Sequence, residues 1–212
     1  MEFRRFLILV SSLLSLTLSH AYASSGQVGI LGGLAVTGAT LDTGVAPNTF
    51  SASSKASYKV GIAGEYSVLP NLLSVELDFL WASYQWEQTI VAVQPSVEYT
   101  TNWFEIPLFI NYTGIPMFKF GAGPVLDIMP GNVSTVNSDG TGAVSQTAGA
   151  ALLSRGNVSL GMQAGYDYAF SGPWTVDADI RYLLGLTNFS TNPPMVTKIH
   201  SFDFLVGVGY AF

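Results

Sequence analysis

The chain has no cysteine, so no disulfide framework, thiol nucleophile or cysteine-ligated zinc centre is available to it. It has two histidines, and His20 belongs to an amino-terminal apolar segment, which leaves His200 as the one imidazole of the remaining chain. The usual zinc ligand sets are thereby excluded. Charged residues make up 10% of the sequence, and the 8 lysines and arginines are scattered among 14 acids. Nucleic acid binding needs clustered positive charge, so that class is excluded too. Nor is any apolar run long enough for a transmembrane helix: residues 6–18 cover 13 positions, where roughly 20 are needed.

What is present is grease without long runs. Hydrophobic residues make up 49% of the chain and the mean hydropathy is +0.38, yet the apolar positions are dispersed. Arg4 and Arg5, the apolar stretch 6–18 and the small-x-small triplet Ala21-Tyr22-Ala23 have the form of a secretory leader. Cleavage after Ala23 is expected, giving a leader over 1–23 and one domain over 24–212. That domain carries six basic and thirteen acidic residues, a net charge of −7.

Period-two alternation marks eight strands, at 27–36, 56–68, 72–86, 102–112, 117–128, 157–170, 174–186 and 198–212. Connections after the second, fourth and sixth are tight and carry turn chemistry: Leu69-Pro70-Asn71, Thr113-Gly114-Ile115-Pro116 and Ser171-Gly172-Pro173. Those after the odd-numbered strands are long and rich in Ser, Thr, Gly, Asn and Pro, as in 37–55 and 129–156. Strict alternation of short and long connections is the pattern of an outer-membrane barrel with short periplasmic turns and long external loops. The expected fold is therefore all-β: an eight-stranded antiparallel up-and-down transmembrane barrel, its termini periplasmic. The apolar stretch 148–153 leaves room for an extra hairpin and a ten-stranded count.

Parity separates the two faces. Phe104, Ile106, Leu108, Ile110 and Tyr112 oppose Glu105 and Asn111; Phe118, Phe120, Ala122 and Leu126 oppose Lys119 and Asp127; Trp174, Val176, Ile180, Tyr182 and Leu184 oppose Asp177, Asp179 and Arg181. Lys59, Glu65, Glu76, Asp78, Gln163, Asp167 and Asp203 fall on the polar parity of their strands as well. A cation facing the bilayer centre costs about 2–4 kcal/mol, which directs these charges into the lumen. Lys59, Glu76, Asp78, Glu105, Lys119, Asp167, Asp177, Asp179, Arg181 and Asp203 are thus expected to form a structural charge network that fills a narrow barrel. Arg181 is expected at the height of Asp203, and Lys119 near Asp167. Tyr66, Trp81, Trp86, Trp103, Phe170, Trp174 and Tyr210, near strand ends, are expected to form interfacial girdles.

No catalytic, cofactor-binding or metal constellation emerges. His200-Ser201 beside Asp203 invites a hydrolase reading, because a serine nucleophile needs an imidazole within reach. Neighbours in a strand point to opposite faces, however, so the two cannot easily meet. Gly29-Ile30-Leu31-Gly32-Gly33 lacks the spacing of a phosphate-binding loop and opens no helix.

The segments Phe104-Glu105-Ile106-Pro107-Leu108, Gly121-Ala122-Gly123-Pro124, Arg181-Tyr182 with Gly185-Leu186-Thr187-Asn188, and Gly207-Val208-Gly209-Tyr210-Ala211-Phe212 give the chain its kinship. It resembles the porin-like, PorT-type outer-membrane β-barrel domain proteins of Gram-negative bacteria. The resemblance implies an eight-stranded barrel inserted by the barrel assembly machinery, with Tyr210 and Phe212 matching its aromatic recognition signal, and no shared enzymatic activity. The expected function is that of a non-enzymatic barrel in contact with outer-membrane lipids. It would act structurally or through external loops, in adhesion, partner binding or envelope integrity, without cofactor and without nucleic acid. The alternatives are a lipid-modifying enzyme with its site at the outer mouth near His200, and a narrow porin-like channel.

Overall fold

The computed structural model describes residues 26–42, 50–90, 93–137, 142, 144–147, 154–188, 190 and 196–212. The leader expected over 1–23 lies outside the described residues. Among the described residues ten strands follow one another: β1 (Gly26–Asp42), β2 (Phe50–Leu69), β3 (Leu73–Ile90), β4 (Val93–Ile115), β5 (Phe118–Ile128), β6 (Asn132–Asn137), β7 (Val144–Thr147), β8 (Gly156–Ser171), β9 (Trp174–Gly185) and β10 (Val196–Ala211). Eight of them close a ring in the order β1-β2-β3-β4-β5-β8-β9-β10, with β10 returning to β1 and every pairing antiparallel. The small β6–β7 hairpin stands outside the ring, with β6 paired to Val97–Thr100 of β4. The extra hairpin therefore arises from residues ahead of 148–153, which lie outside the described residues, and it leaves the barrel count at eight.

The alternation of each strand becomes two walls. Exposed on the outside are Ile30 and Leu34 at 67%, Val206 at 64% and Ile110 at 63%, among many other large apolar residues. An apolar surface of that extent is compatible with lipid and not with water. Pairs such as Trp174 and Tyr210, or Phe118 and Tyr166, meet edge to face at 5.4 Å near the short-turn end of this wall.

The short turns use left-handed residues. Asn71 (φ 58°), Met117 (φ 68°) and Gly172 (φ 56°) each reverse the chain. Met117 thus belongs to the turn and not to the strand assigned from alternation. At the opposite end the strands outrun their apolar patterns. β3 and β4 continue to Ile90 and Val93, so the expected long loop after the third strand is a tall hairpin. Ser, Thr, Gln and Glu replace the apolar stripe there, which is why hydrophobic alternation stopped short of the true strand ends.

Closing so few strands forces neighbouring backbones together where the sheet coils most tightly. A Cβ at Gly33 would stand 1.9 Å from the Phe204 carbonyl oxygen, and one at Gly123 would stand 1.8 Å from that of Leu108. Both contacts are with backbone, which cannot rotate away. Gly33→Ala and Gly123→Ala should each destabilise the barrel by about 1–3 kcal/mol, the range for overpacking. Urea titration of the folded, heat-modifiable gel band should register this as a lowered midpoint, whereas Gly131→Ala, whose Cβ position is free of neighbours, should leave the midpoint in place.

Candidate functional site

Inside the ring, side chains stack in layers from the short-turn end to the long-loop end. At the lower mouth Gln27 Nε2 donates to both Asp177 oxygens at 3.0 and 2.9 Å, and Ser74 donates to Glu65. Above them Arg181, fully buried, reaches across the lumen from β9 to β3. It donates to Asp78 at 2.5 Å and Glu76 at 2.6 Å, and also to Asp179 on its own strand at 3.0 Å. Lys119 joins the same cluster, 3.2 Å from Glu76, 3.4 Å from Asp179 and 3.5 Å from Asp167. Asn111 and Gln163 each donate to Glu76 at 2.8 Å.

An apolar layer follows, made of Leu31, Leu80 and Leu205 on one side and Phe109, Val125 and Leu183 on the other. The Phe109 ring also faces the Arg181 guanidinium, 5.2 Å from its centroid. Next comes a second ionic layer, where Lys59 Nζ donates at 2.7 Å to both Glu105 and Asp203. Tyr84 donates to Glu105 and Ser201 donates to Asp203. Asn157 Nδ2 donates to Asp127 at 2.7 Å while Thr187 Oγ1 donates to Asn157 Oδ1 at 2.8 Å, tying the upper ends of β9 and β8 to β5. Last, Ala39, Ala82, Tyr84, Trp86, Trp103, Met129, Val133 and Ile199 cap the lumen with a buried apolar cluster.

Of the charges picked out from parity, all face the lumen, and Glu65 and Asp167 are the two left partly open, at the lower mouth. Asp203 does stand opposite Arg181 in the β9–β10 register. Their ionic partners differ nonetheless, because an eight-stranded lumen is narrow enough for long side chains to reach the opposite wall. Lys119 and Asp167 do pair. Trp86 and Trp103, expected in an interfacial girdle, are 2% and 0% exposed and belong to the interior cap. Their parity, which matches that of Tyr84 and Glu105, was the available signal. The apolar layers between the ionic ones escaped the reading of a wholly polar lumen, since Leu80 and Phe109 sit on the same parity as Asp78 and Glu105. Tyr210 and Phe212 face outward at the lower end of the wall, at 45% and 51% exposure.

His200 and Ser201 do not form a catalytic pair. Ser201 is buried and bound to Asp203, while His200 lies on the outer wall opposite Gly38 of β1 and Leu184 of β9. Among the described residues no cluster of histidine and carboxylate side chains could hold a metal ion.

Beyond the lumen cap, the β2–β4 extension carries its own polar contacts. Lys55 stands 3.1 Å from Glu87 and 4.0 Å from Glu98, Ser96 donates to Glu87, and Trp86 stacks on Tyr99 at 5.2 Å with an interplanar angle of 2°. The Ser96 hydroxyl first, and then the Lys55 ammonium, hold the Glu87 carboxyl below the usual glutamate range; Glu87 in turn raises Lys55. The depressed carboxyl makes its contribution at higher pH and loses it as pH falls through its folded value. The raised ammonium contributes at lower pH and loses it as pH rises.

A sequence profile described as the outer membrane protein beta-barrel domain matches residues 6–212. Among solved structures, the chain is similar to Ail, the attachment invasion locus protein of Yersinia pestis, at 14% identity over 88% of this chain and 99% of that one, with a TM-score of 0.43. It is similar to OprG from Pseudomonas aeruginosa at 15% identity over 89% and 97%, with a TM-score of 0.47. It is also similar to the outer membrane protease OmpT from Escherichia coli at 8% identity over 89% and 97%, with a TM-score of 0.44. No curated protein sequence matches it. At these identities and scores the structural likenesses carry no functional argument.

Two measurements follow from this geometry. Lys59→Met should leave Glu105 and Asp203 buried without their cation and cost about 3–5 kcal/mol, read as a lowered urea midpoint of the folded band. In a carboxyl NMR titration of the folded barrel, Glu87 should titrate below glutamate in an unstructured peptide, and Ser96→Ala with Lys55→Ala should move it upward. A Glu87 curve unmoved by both changes would refute the assigned contacts.

Proposed function

This chain belongs to the outer membrane protein beta-barrel domain family and is an integral protein of the Gram-negative outer membrane, and on that footing we propose that it is a non-enzymatic barrel acting through its external face. The single observation that carries this reading is the contrast between the two parts of the molecule. The lumen is stacked with alternating ionic and apolar layers, while β2, β3 and β4 continue past the lipid-facing wall and receive the β6–β7 hairpin. A filled interior makes a rigid support, and variable surface chemistry on a rigid support is the usual arrangement for partner recognition. Adhesion, partner binding and envelope integrity are the roles compatible with it.

The finer assignments rest on the sequence. The PorT-type affiliation is supported by the Phe104–Leu108, Gly121–Pro124 and Arg181–Asn188 segments. Residues 1–23 are read as an export leader, and the outward aromatics Tyr210 and Phe212 on β10 as the element offered to the barrel assembly machinery. The charge network is read as structural, because each of its cations is occupied by carboxylates. A lipid-modifying enzyme centred on His200 is disfavoured by the orientation of Ser201 to the other face. A channel is disfavoured by the apolar layers that interrupt the polar ones.

Replacing residues 132–147 by a short Gly-Ser linker, together with shortening the β3–β4 hairpin above Tyr84, should leave the barrel folded and heat-modifiable. It should also abolish surface phenotypes of the wild-type protein, such as adherence of expressing cells or binding of an external partner. Planar bilayers containing the purified barrel should show no stable current. A folded, shortened barrel with every phenotype intact would sink the proposal, and a steady conductance would favour the channel instead.

A further inference from the structure

Outside the leader the chain has six basic residues, and their placement is uneven. Lys55, Arg155 and Lys198 lie towards the external end and Lys59 in the upper ionic layer, which leaves Lys119 and Arg181 for the lower one. That layer and the mouth beneath it hold six carboxylates: Glu65, Glu76, Asp78, Asp167, Asp177 and Asp179. Arg181 is taken up by Glu76, Asp78 and Asp179, and Lys119 is spread over Glu65, Glu76, Asp167 and Asp179 at 3.2 to 3.7 Å. Asp177 meets no cation among the described residues; its partner is the neutral Gln27 amide. The periplasmic turns at 69–72, 113–117 and 171–173 add no basic side chain. Carboxylates held in such excess behind a low-dielectric wall call for positive charge from outside the chain.

The same end of the lumen is uncrowded on one side. β1 and β2 present Gly29 and Ala63 inward, facing Glu76 of β3 and Asp179 of β9 across a cavity of about 10 Å³. Leu31, of the apolar layer, closes its upper end, and the partly open Glu65 marks the way down to the mouth. That is room for one water or one ammonium group. Two buried polar atoms without a hydrogen bond bear on this space. Asp179, 3% exposed, lines it, and its Oδ1 accepts no hydrogen bond, although Lys119 Nζ stands 3.4 Å away. Thr175, 8% exposed, has an unpartnered hydroxyl, which converges with the Gln27 amide over Gly209: a Cβ there would stand 2.6 Å from Thr175 Oγ1 and 2.5 Å from Gln27 Nε2.

We propose that this cavity binds one primary ammonium of a linear aliphatic diamine entering from the periplasm, with Asp177, Asp179 and Thr175 as acceptors and the second ammonium at Glu65 and Asp167. No carboxylate cluster among the described residues has the geometry to hold a metal ion. The acceptors stand around the cavity and do not converge on one point, which suits a cation with several separate N–H donors. A planar guanidinium is too broad for a space one water wide, whereas an ammonium fits and its methylene stem can pass Gly29 and Ala63. Lys119 also lines the cavity, but its charge is already divided among four carboxylates. The apolar layer above makes the site a dead end. It is independent of the external-face reading given above.

The test titrates the folded barrel, in an uncharged detergent at low salt, with putrescine, with its bis-trimethylammonium analogue, which has the same charge and no N–H, and with Mg²⁺. Bound ligand is counted by native mass spectrometry, and the urea midpoint of the folded band is read alongside, since a ligand of the folded state raises it. Wild type should bind one putrescine per barrel and prefer it to the quaternary analogue by roughly tenfold, about 1.4 kcal/mol. Asp177→Asn, which removes the carboxylate that has no cation of its own, and Thr175→Val, which removes the unpaired hydroxyl at nearly constant shape, should each weaken putrescine binding while keeping heat-modifiable migration. Ala63→Leu, which fills the cavity and changes no charge, should abolish it in barrels that still migrate as folded. Equal uptake of the quaternary analogue, or of Mg²⁺ in place of putrescine, would overturn the proposal, the mouth then being a diffuse acidic field. So would a wild type that takes up no putrescine, or folded Asp177→Asn and Thr175→Val barrels that bind it as wild type does.

Discussion

Everything in this molecule depends on the seam where β1 meets β10. In hydrocarbon there is no water to satisfy a bare strand edge, and each unpaired backbone group costs several kcal/mol. The seam runs from Gln27 opposite Ala211 to Asp42 opposite Val196, and it is finished by Gly26 and Phe212, which exchange hydrogen bonds at 2.9 and 2.8 Å. Once it is closed, no edge faces lipid. The same closure explains why glycine stands where it does: at Gly33 the β10 backbone approaches so closely that a methyl group has no place.

Closure also fixes what each parity must be. With one wall in lipid, a residue is either compatible with acyl chains or hidden from them, and a slip of one position would exchange the two sets along a whole strand. Three cations placed inside by that rule cannot reach water, so they must be met by carboxylates. The narrowness of the lumen then decides which ones. Arg181 bypasses Asp203, its neighbour in the register, and binds Glu76 and Asp78 on the far wall. The ionic layers are in turn kept apart by Leu80, Phe109 and their partners, so that no continuous polar column runs through the barrel.

This is also where reading the sequence stopped. Period-two patterns located the eight barrel strands and the three short turns, because lipid on one side makes the alternation steep. They said which residues share a face, as with Glu105 and Lys119. They could not say which partners meet across the lumen, because that depends on the tilt and radius of the closed sheet and leaves no local trace. Trp86 and Trp103 show the other limit. A tryptophan near a strand end suits an interface and an interior cap equally well by composition, and only its parity relative to Tyr84 and Glu105 separates the two. The extra hairpin was expected from the apolar stretch 148–153, whereas β6 and β7 lie ahead of it, for a related reason: in water both faces of a strand tolerate Ser, Thr, Asn and Gln, so their pattern is flat.

The contrast between flat and steep patterns has a functional consequence. Along the membrane wall almost every position is constrained twice, by lipid or lumen on its own face and by register across the strands. Above the cap formed by Trp86, Trp103 and Met129 those constraints lapse. The β2–β4 extension is held by cross-strand hydrogen bonding and by a few surface contacts, such as Lys55 with Glu87, which are individually modest. Changes there cost little in stability, since neither the seam nor the ionic layers depend on them. A surface that can vary without endangering the barrel is the part of this molecule on which recognition of something outside the cell can be built.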